Sequence, residues 1–254
     1  MRSILIIAWK DFKQSVTSPL FFIVAALCTV IWSITYLGFL RQFAAQGMMA
    51  GIQGMGAPNV VRGVFTPHVS VTNLIFIVTL PALTMRMIAE EKKTRSYDLL
   101  LTSPVTATQI VLGKLFAALG AMGCLLALSL LYPVATGLIA DFSWSMVFAV
   151  YLGMFLISSL YIASGLFASS LTESSMLAVF LGVIFNFLIW FIGPSTSGIE
   201  IKWMSDLFEY LSVGQHMMNF VNGSVQTSSL VFFLSAISFF TFLSQRVVES
   251  SRWR

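Results

Sequence analysis

The sequence predicts an all-α integral membrane protein with six transmembrane helices behind an N-terminal interfacial helix. Three observations predict it. Only 9% of the 254 residues are charged and 57% are hydrophobic, whereas a soluble domain carries about 25% charged residues. Apolar runs of about 20 residues, enough to cross a bilayer core, recur along the chain. The basic residues fall in short segments between those runs, where they set orientation. No internal repeat and no soluble domain interrupts the pattern, so 1–254 reads as a single transmembrane domain.

Residues 1–18 are the interfacial segment, with a helix over 3–17. Ile4, Ile7, Ala8, Asp11, Phe12 and Ser15 share helical spacing, and Lys10, Lys13 and Gln14 lie toward the other side. Such a helix lies in the headgroup region with its lysines toward water. Its charges at Lys10, Asp11 and Lys13 also argue against a cleaved signal peptide. Ser18-Pro19 ends it and starts the next helix.

The spans are expected at 20–40, 69–88, 115–139, 145–168, 175–192 and 229–243, the last one short. Trp32 and Tyr36 read as interfacial rings at the far end of span one. Residues 41–67 read as a Gly/Met-rich loop, whose Met48, Met49 and Met55 are packing material before they are a soft-metal site. Pro81 marks a kink in span two, and Gly120 and Gly123 allow close helix contact in span three. Asn186, inside span five, reads as an interhelical hydrogen bond or as a substrate contact. Cys28 and Cys124 lie in apolar runs and read as small packing residues. Residues 193–227 read as an outer loop with two amphipathic stretches, 203–211 and 215–221, too short to span. His68 and His216 read as interfacial polar groups.

With both termini inside, the inner segments hold eleven Lys/Arg and the outer loops three, Arg41, Arg62 and Lys202. That asymmetry satisfies the positive-inside rule. It places the polar segment 89–114 in the cytoplasm. Inside that segment Leu99, Leu100 and Leu101 form an apolar patch closed by Thr102-Ser103-Pro104 and rimmed by charge. Two readings stand: a docking knob for a soluble partner, or a solvated loop whose leucines fold back on the membrane.

The chain lacks a GxxxxGK[ST] phosphate loop, GxSxG, HExxH and CxxC, so no nucleotide, metal or catalytic site of its own is expected. Glu90 and Glu91 sit among bases and read as salt-bridge partners, of Lys92, Lys93, Arg95 or a partner's arginines. Ionisable residues are nearly missing from the spans, which argues for an energy source outside the chain.

The stretch 84–114, TMRMIAEEKKTRSYDLLLTSPVTATQIVLGK, strongly resembles the permease subunits of ABC-2 type transporters. Their segment runs TMR, a hydrophobic residue, AEE, basic residues, GT-x-ELLLT-x-PV and a closing GK. Thr17-Ser18-Pro19 is similar to the same family's SSP, and YLSVGQHMMNFVNGSV at 210–225 to its LSPxxHFxxFxxG segment. The wording is nearest the gliding-motility type of permease and the permease of nitrous-oxide-reductase maturation. This sequence departs from the pattern at 95–98, where Arg-Ser-Tyr-Asp replaces Gly-Thr-x-Glu, and at Val213 and Met217.

The resemblance implies a six-helix, non-catalytic subunit of the bacterial inner membrane that pairs with a second permease chain, identical or not. Each permease would receive a separate ATP-binding subunit holding ATP and Mg. Residues 95–104, with Arg95, Tyr97 and Asp98 leading into the Leu99 to Pro104 patch, would form a cytoplasmic coupling helix between spans two and three. Glu90, Glu91 and Asp98 would pair with basic residues of the ATPase, and Lys10 and Lys13 would give a second contact. Trp203, Phe208, Leu211, His216 and Phe220 would cap or gate the outer side, or meet a periplasmic or auxiliary partner. A different class of function also fits: a force-transmitting membrane subunit that moves a partner protein without transporting a solute.

Overall fold

The computed structural model describes residues 2–52, 59–94, 105–192 and 201–251. Among them every regular element is helical. These are α1 (Arg2–Val16), α2 (Pro19–Ile52), α3 (Thr66–Lys93, entered through a π-helical turn, Val61–Phe65), α4 (Ala107–Gly137), α5 (Trp144–Leu171), α6 (Ser175–Phe191), α7 (Lys202–Leu211), α8 (Val213–Val221) and α9 (Thr227–Ser250). Five of them, α2, α3 with its entry turn, α4, α5 and α9, are long and apolar enough to cross a membrane. The expected fifth span, 175–192, is α6, with 17 residues. At 1.5 Å per residue it is roughly 25 Å long, against a hydrocarbon core of about 30 Å. The short element is thus α6 and not the last span, since α9 has 24 residues.

Helix α2 starts as Ser18-Pro19 requires. The Ser18 hydroxyl accepts from the Phe21 N–H at 3.3 Å, and Pro19, with no N–H to satisfy, takes the first helical position. The helix then runs to Ile52, well past the expected end at residue 40. Residues 41–52 are mostly Arg, Gln, Ala and Met, all good helix formers, and two glycines only weaken such a run. Trp32 and Tyr36 are not belt residues. They continue the stripe Phe21, Val24, Cys28 at helical spacing, and that whole stripe is buried. His68 is buried with them, its ring centroid 5.2 Å from Tyr36 and 6.1 Å from Trp32. It is a packed group and not an interfacial one.

Helix α5 is the centre of the bundle. In its most apolar stretch 72% of the residues are buried, against 28% for α2, and it packs on α3, α6, α8, α9 and α4. Two prolines inside neighbouring helices are resolved in the same way. Pro81 has no N–H for the Ile77 carbonyl four residues back, and Asn186 of α6 donates its Nδ2 to that carbonyl at 3.1 Å. The Asn186 Oδ1 accepts from Ser164 of α5 at 2.6 Å. Of the two readings of Asn186, the interhelical hydrogen bond is the one observed. Pro133 likewise orphans the Ser129 carbonyl, and the Tyr151 hydroxyl donates to it at 3.0 Å. Close approach at Pro81 requires glycine on both facing helices. A Cβ on Gly182 would lie 2.8 Å from the Pro81 ring, and one on Gly165 would lie 2.5 Å from Thr84 Oγ1.

Asn186→Leu is expected to lower stability by about 1–2 kcal/mol, read from unfolding in mixed detergent micelles. In a Pro81→Ala background the backbone regains an N–H at that position to serve the Ile77 carbonyl, so the same substitution is expected to cost clearly less. Equal costs in both backgrounds would disprove this account of Asn186.

Candidate functional site

The functionally suggestive end of the molecule is where α1, the end of α3 and the start of α4 meet. Helix α4 begins at Ala107 because Thr106 and Gln109 form a capping box. The Thr106 hydroxyl accepts from the Gln109 N–H at 3.3 Å, and Gln109 Oε1 accepts from the Thr106 N–H at 3.2 Å. Lys114 therefore sits two turns inside a helix and not in the loop expected at 89–114. Its side chain is 0% exposed, and an unpaired ammonium there would be very costly. Asp11 of α1 lies 3.1 Å from Lys114 Nζ, and Glu91 of α3 lies 2.7 Å from it. Lys114 is thus a buried ionisable group that the sequence reading places outside the spans.

Helix α1 reaches Lys114 by packing along α4. A Cβ on Gly113 would lie 2.7 Å from the Ile7 side chain, and one on Gly120 would lie 2.8 Å from Phe12. The expected glycine contact is therefore real at Gly120 but not at Gly123, which has nothing within 4 Å. Lys10 stands 64% exposed, 4.0 Å from Asp11 Oδ1. Lys13 is exposed as well.

The stem of α3 is held by the tip of α5. The Ser169 hydroxyl accepts from the Ala89 N–H at 2.9 Å and donates to the Met85 carbonyl at 3.2 Å. Those two groups pair with each other in an uninterrupted α-helix, so Ser169 enters the α3 ladder at that turn. One turn on, Lys92 donates to the Ser170 carbonyl at 2.6 Å, in the last turn of α5, where a cation is favoured. Glu90 pairs with Arg86 of its own helix at 3.5 Å. A polar cleft of about 60 Å³ between α1 and α3 is lined by Asp11, Gln14, Ser15, Arg86, Met87 and Glu90.

The structure thus divides the expected contact residues. Lys10, Lys13 and half-exposed Glu90 face outward, whereas Glu91 turns inward to Lys114. Arg95, Tyr97, Asp98, Leu99, Leu100, Leu101, Thr102, Ser103 and Pro104 lie outside the described residues. The outer set divides too. Trp203 and Leu211 are exposed on α7 and Phe208 is half-buried there, while His216 and Phe220 of α8 are buried. His216 Nε2 lies 3.0 Å from the Tyr210 carbonyl and Nδ1 lies 3.0 Å from the Ser229 hydroxyl. The neutral Nε2–H tautomer satisfies both contacts. Its ring stacks on Phe232 at 4.2 Å, so it is a packed joint between α7, α8 and α9. Sequence reading missed Asp11, Lys114 and Ser169 as a set. A carboxylate on the apolar stripe of an amphipathic helix was the one available signal.

The model of the ABC-2 family transporter proteins matches residues 5–248. The chain belongs to the ABC-2 family of transporter proteins. The matched region runs from within α1 to the last turns of α9, so Asp11, Glu91 and Lys114 of this ABC-2 chain all lie within it. A comparison with curated proteins found no match.

Lys114→Met leaves Asp11 and Glu91 in a low-dielectric site without their cation. The expected loss is about 3–5 kcal/mol, toward the lower end because Glu91 remains 18% exposed. Limited proteolysis is expected to release α1 at the same time. Lys13→Met, at an exposed position, is expected to change stability by no more than about 0.5 kcal/mol.

Proposed function

We propose that this chain is the permease subunit of an ATP-driven ABC-2 transporter, and that ATP is hydrolysed with Mg on a separate subunit docked to its cytoplasmic side. Family membership supports the permease role. The observation that carries the docking side is the buried Lys114, because it ties together the two stems of the 95–104 segment and α1. A push on that segment would then be delivered to α3, α4 and α1 together, and through Ser169 and Ser170 to central α5. Leu99, Leu100 and Leu101 enter a groove of the ATPase in this reading. Lys10, Lys13 and Glu90 supply the polar rim, and Arg95, Tyr97, Asp98, Thr102, Ser103 and Pro104 complete the coupling helix. Glu91 holds the stem and does not touch the partner.

The eleven-to-three distribution of Lys/Arg supports cytoplasmic termini in a bacterial inner membrane. A second permease chain completes the translocation path, with α6 reinforced across that contact. The motif wording supports a likeness to the gliding-motility and nitrous-oxide-reductase-maturation permeases in this reading. Binding and hydrolysis of ATP on the partner select between states of the paired permeases.

Co-expression with the ATP-binding subunit followed by pull-down in detergent tests the docking. Leu100→Asp is expected to abolish recovery of the ATPase, while Lys202→Gln on the other side leaves it unchanged. Undiminished recovery with Leu100→Asp would sink the docking reading.

A further inference from the structure

At the opposite end of α2, a cavity of about 640 Å³ opens between α2 and α4, a volume typical of small-molecule sites. Tyr36, Leu37, Leu40 and Phe43 form one wall, and Ala135 and Ile139 the other. The hydroxyls on this surface serve one another. Ser33 bonds Tyr132 at 2.8 Å, and Tyr36 bonds Thr136. What remains for an occupant is carbon. Leu37 and Ile139 are 56% and 90% exposed, so the cleft opens on the lipid-facing side of two membrane-crossing helices.

A cation flanks the lining along α2. Arg41 is exposed, follows Leu40, and lies one helical turn from both Leu37 and Ala44, which line the cavity. Among the described residues no carboxylate pairs with it. Neighbouring Arg62 is instead engaged with Asn222 Oδ1 at 3.4 Å. Measured from Pro19, Arg41 is about 33 Å along α2, which is headgroup depth for a hydrocarbon core of about 30 Å. An apolar cleft open to lipid, with a guanidinium at headgroup level that no described carboxylate neutralises, is complementary to an anionic amphiphile. A twofold contact with a second copy of the chain would instead set like charge toward like charge at the rim.

We propose that the α2–α4 cleft binds one acyl chain of an anionic phospholipid, with Arg41 taking the phosphate. The inference rests on α2 and α4 crossing the membrane and is independent of the ATPase reading. The test is native mass spectrometry of protein released from nanodiscs of equal phosphatidylglycerol and phosphatidylcholine. Wild type is expected to retain phosphatidylglycerol about fivefold over phosphatidylcholine. Arg41→Gln is expected to keep a bound lipid but lose the preference. Ala135→Trp and Leu37→Trp, both at exposed positions and on opposite walls, fill the cleft and are expected to lose the lipid. Monodispersity on size exclusion verifies that each variant is folded, and two filling variants guard against one failing. No headgroup preference in wild type, an intact preference in Arg41→Gln, or lipid retained by a folded filling variant would each overturn the proposal. A changed oligomeric mass with unchanged lipid would assign the cleft to a second copy of the chain, and overturn it too.

Discussion

A charge that cannot be left alone organises the end of this protein where α1, α3 and α4 meet. Lys114 is wholly enclosed, and Asp11 and Glu91 are the groups that make its ammonium tolerable. Each comes from a different helix. The pairing therefore fixes α1 against α4 and α4 against the end of α3, and the glycines at 113 and 120 are what let α1 come near enough. Buried ion pairs are weak sources of net stability but demanding of geometry. Here that demand gathers three elements at the base of the 95–104 segment, a position suited to passing on movement.

The same economy of polar groups runs through the span interiors. Each internal proline leaves a carbonyl without its helical donor, and each time a side chain from a neighbouring helix fills the gap, Asn186 for Ile77 and Tyr151 for Ser129. Ser169 goes further and serves both the donor and the acceptor of one α3 turn. In hydrocarbon no water is at hand to do this. Asn186 and Tyr151 are accounted for by the backbone defects beside them, and Asn186 needs no substrate to explain it. Pro81 is the one proline inside α3, which places a bend between the bundle and the proposed coupling segment.

The two faces of α2 carry different work. Its inner stripe, ending in Trp32 and Tyr36, is core. Its outer face, with Leu37 and Leu40, borders a cleft that no described residue fills. Among the described elements α2 packs chiefly on α3 with its entry turn and on α4, and only lightly on α1, so its outer face is left open.

Composition and the recurrence of apolar runs determined that this is a helical membrane protein, because hydrocarbon admits few alternatives. Local chemistry at Ser18-Pro19 determined where α2 starts, and the motif at 84–114 led to the family. Other features rest on distant partners, and only the tertiary structure decided them. Lys114 looked like a surface charge until Asp11, 103 positions away, and Glu91 enclosed it. Trp32 and Tyr36 looked interfacial because a ring suits either water's edge or a core, and His68 arriving from α3 chose the core. The length of α2 past residue 40 was missed because Gly and Met resemble loop composition, yet the helix formers between them carry the helix on to Ile52.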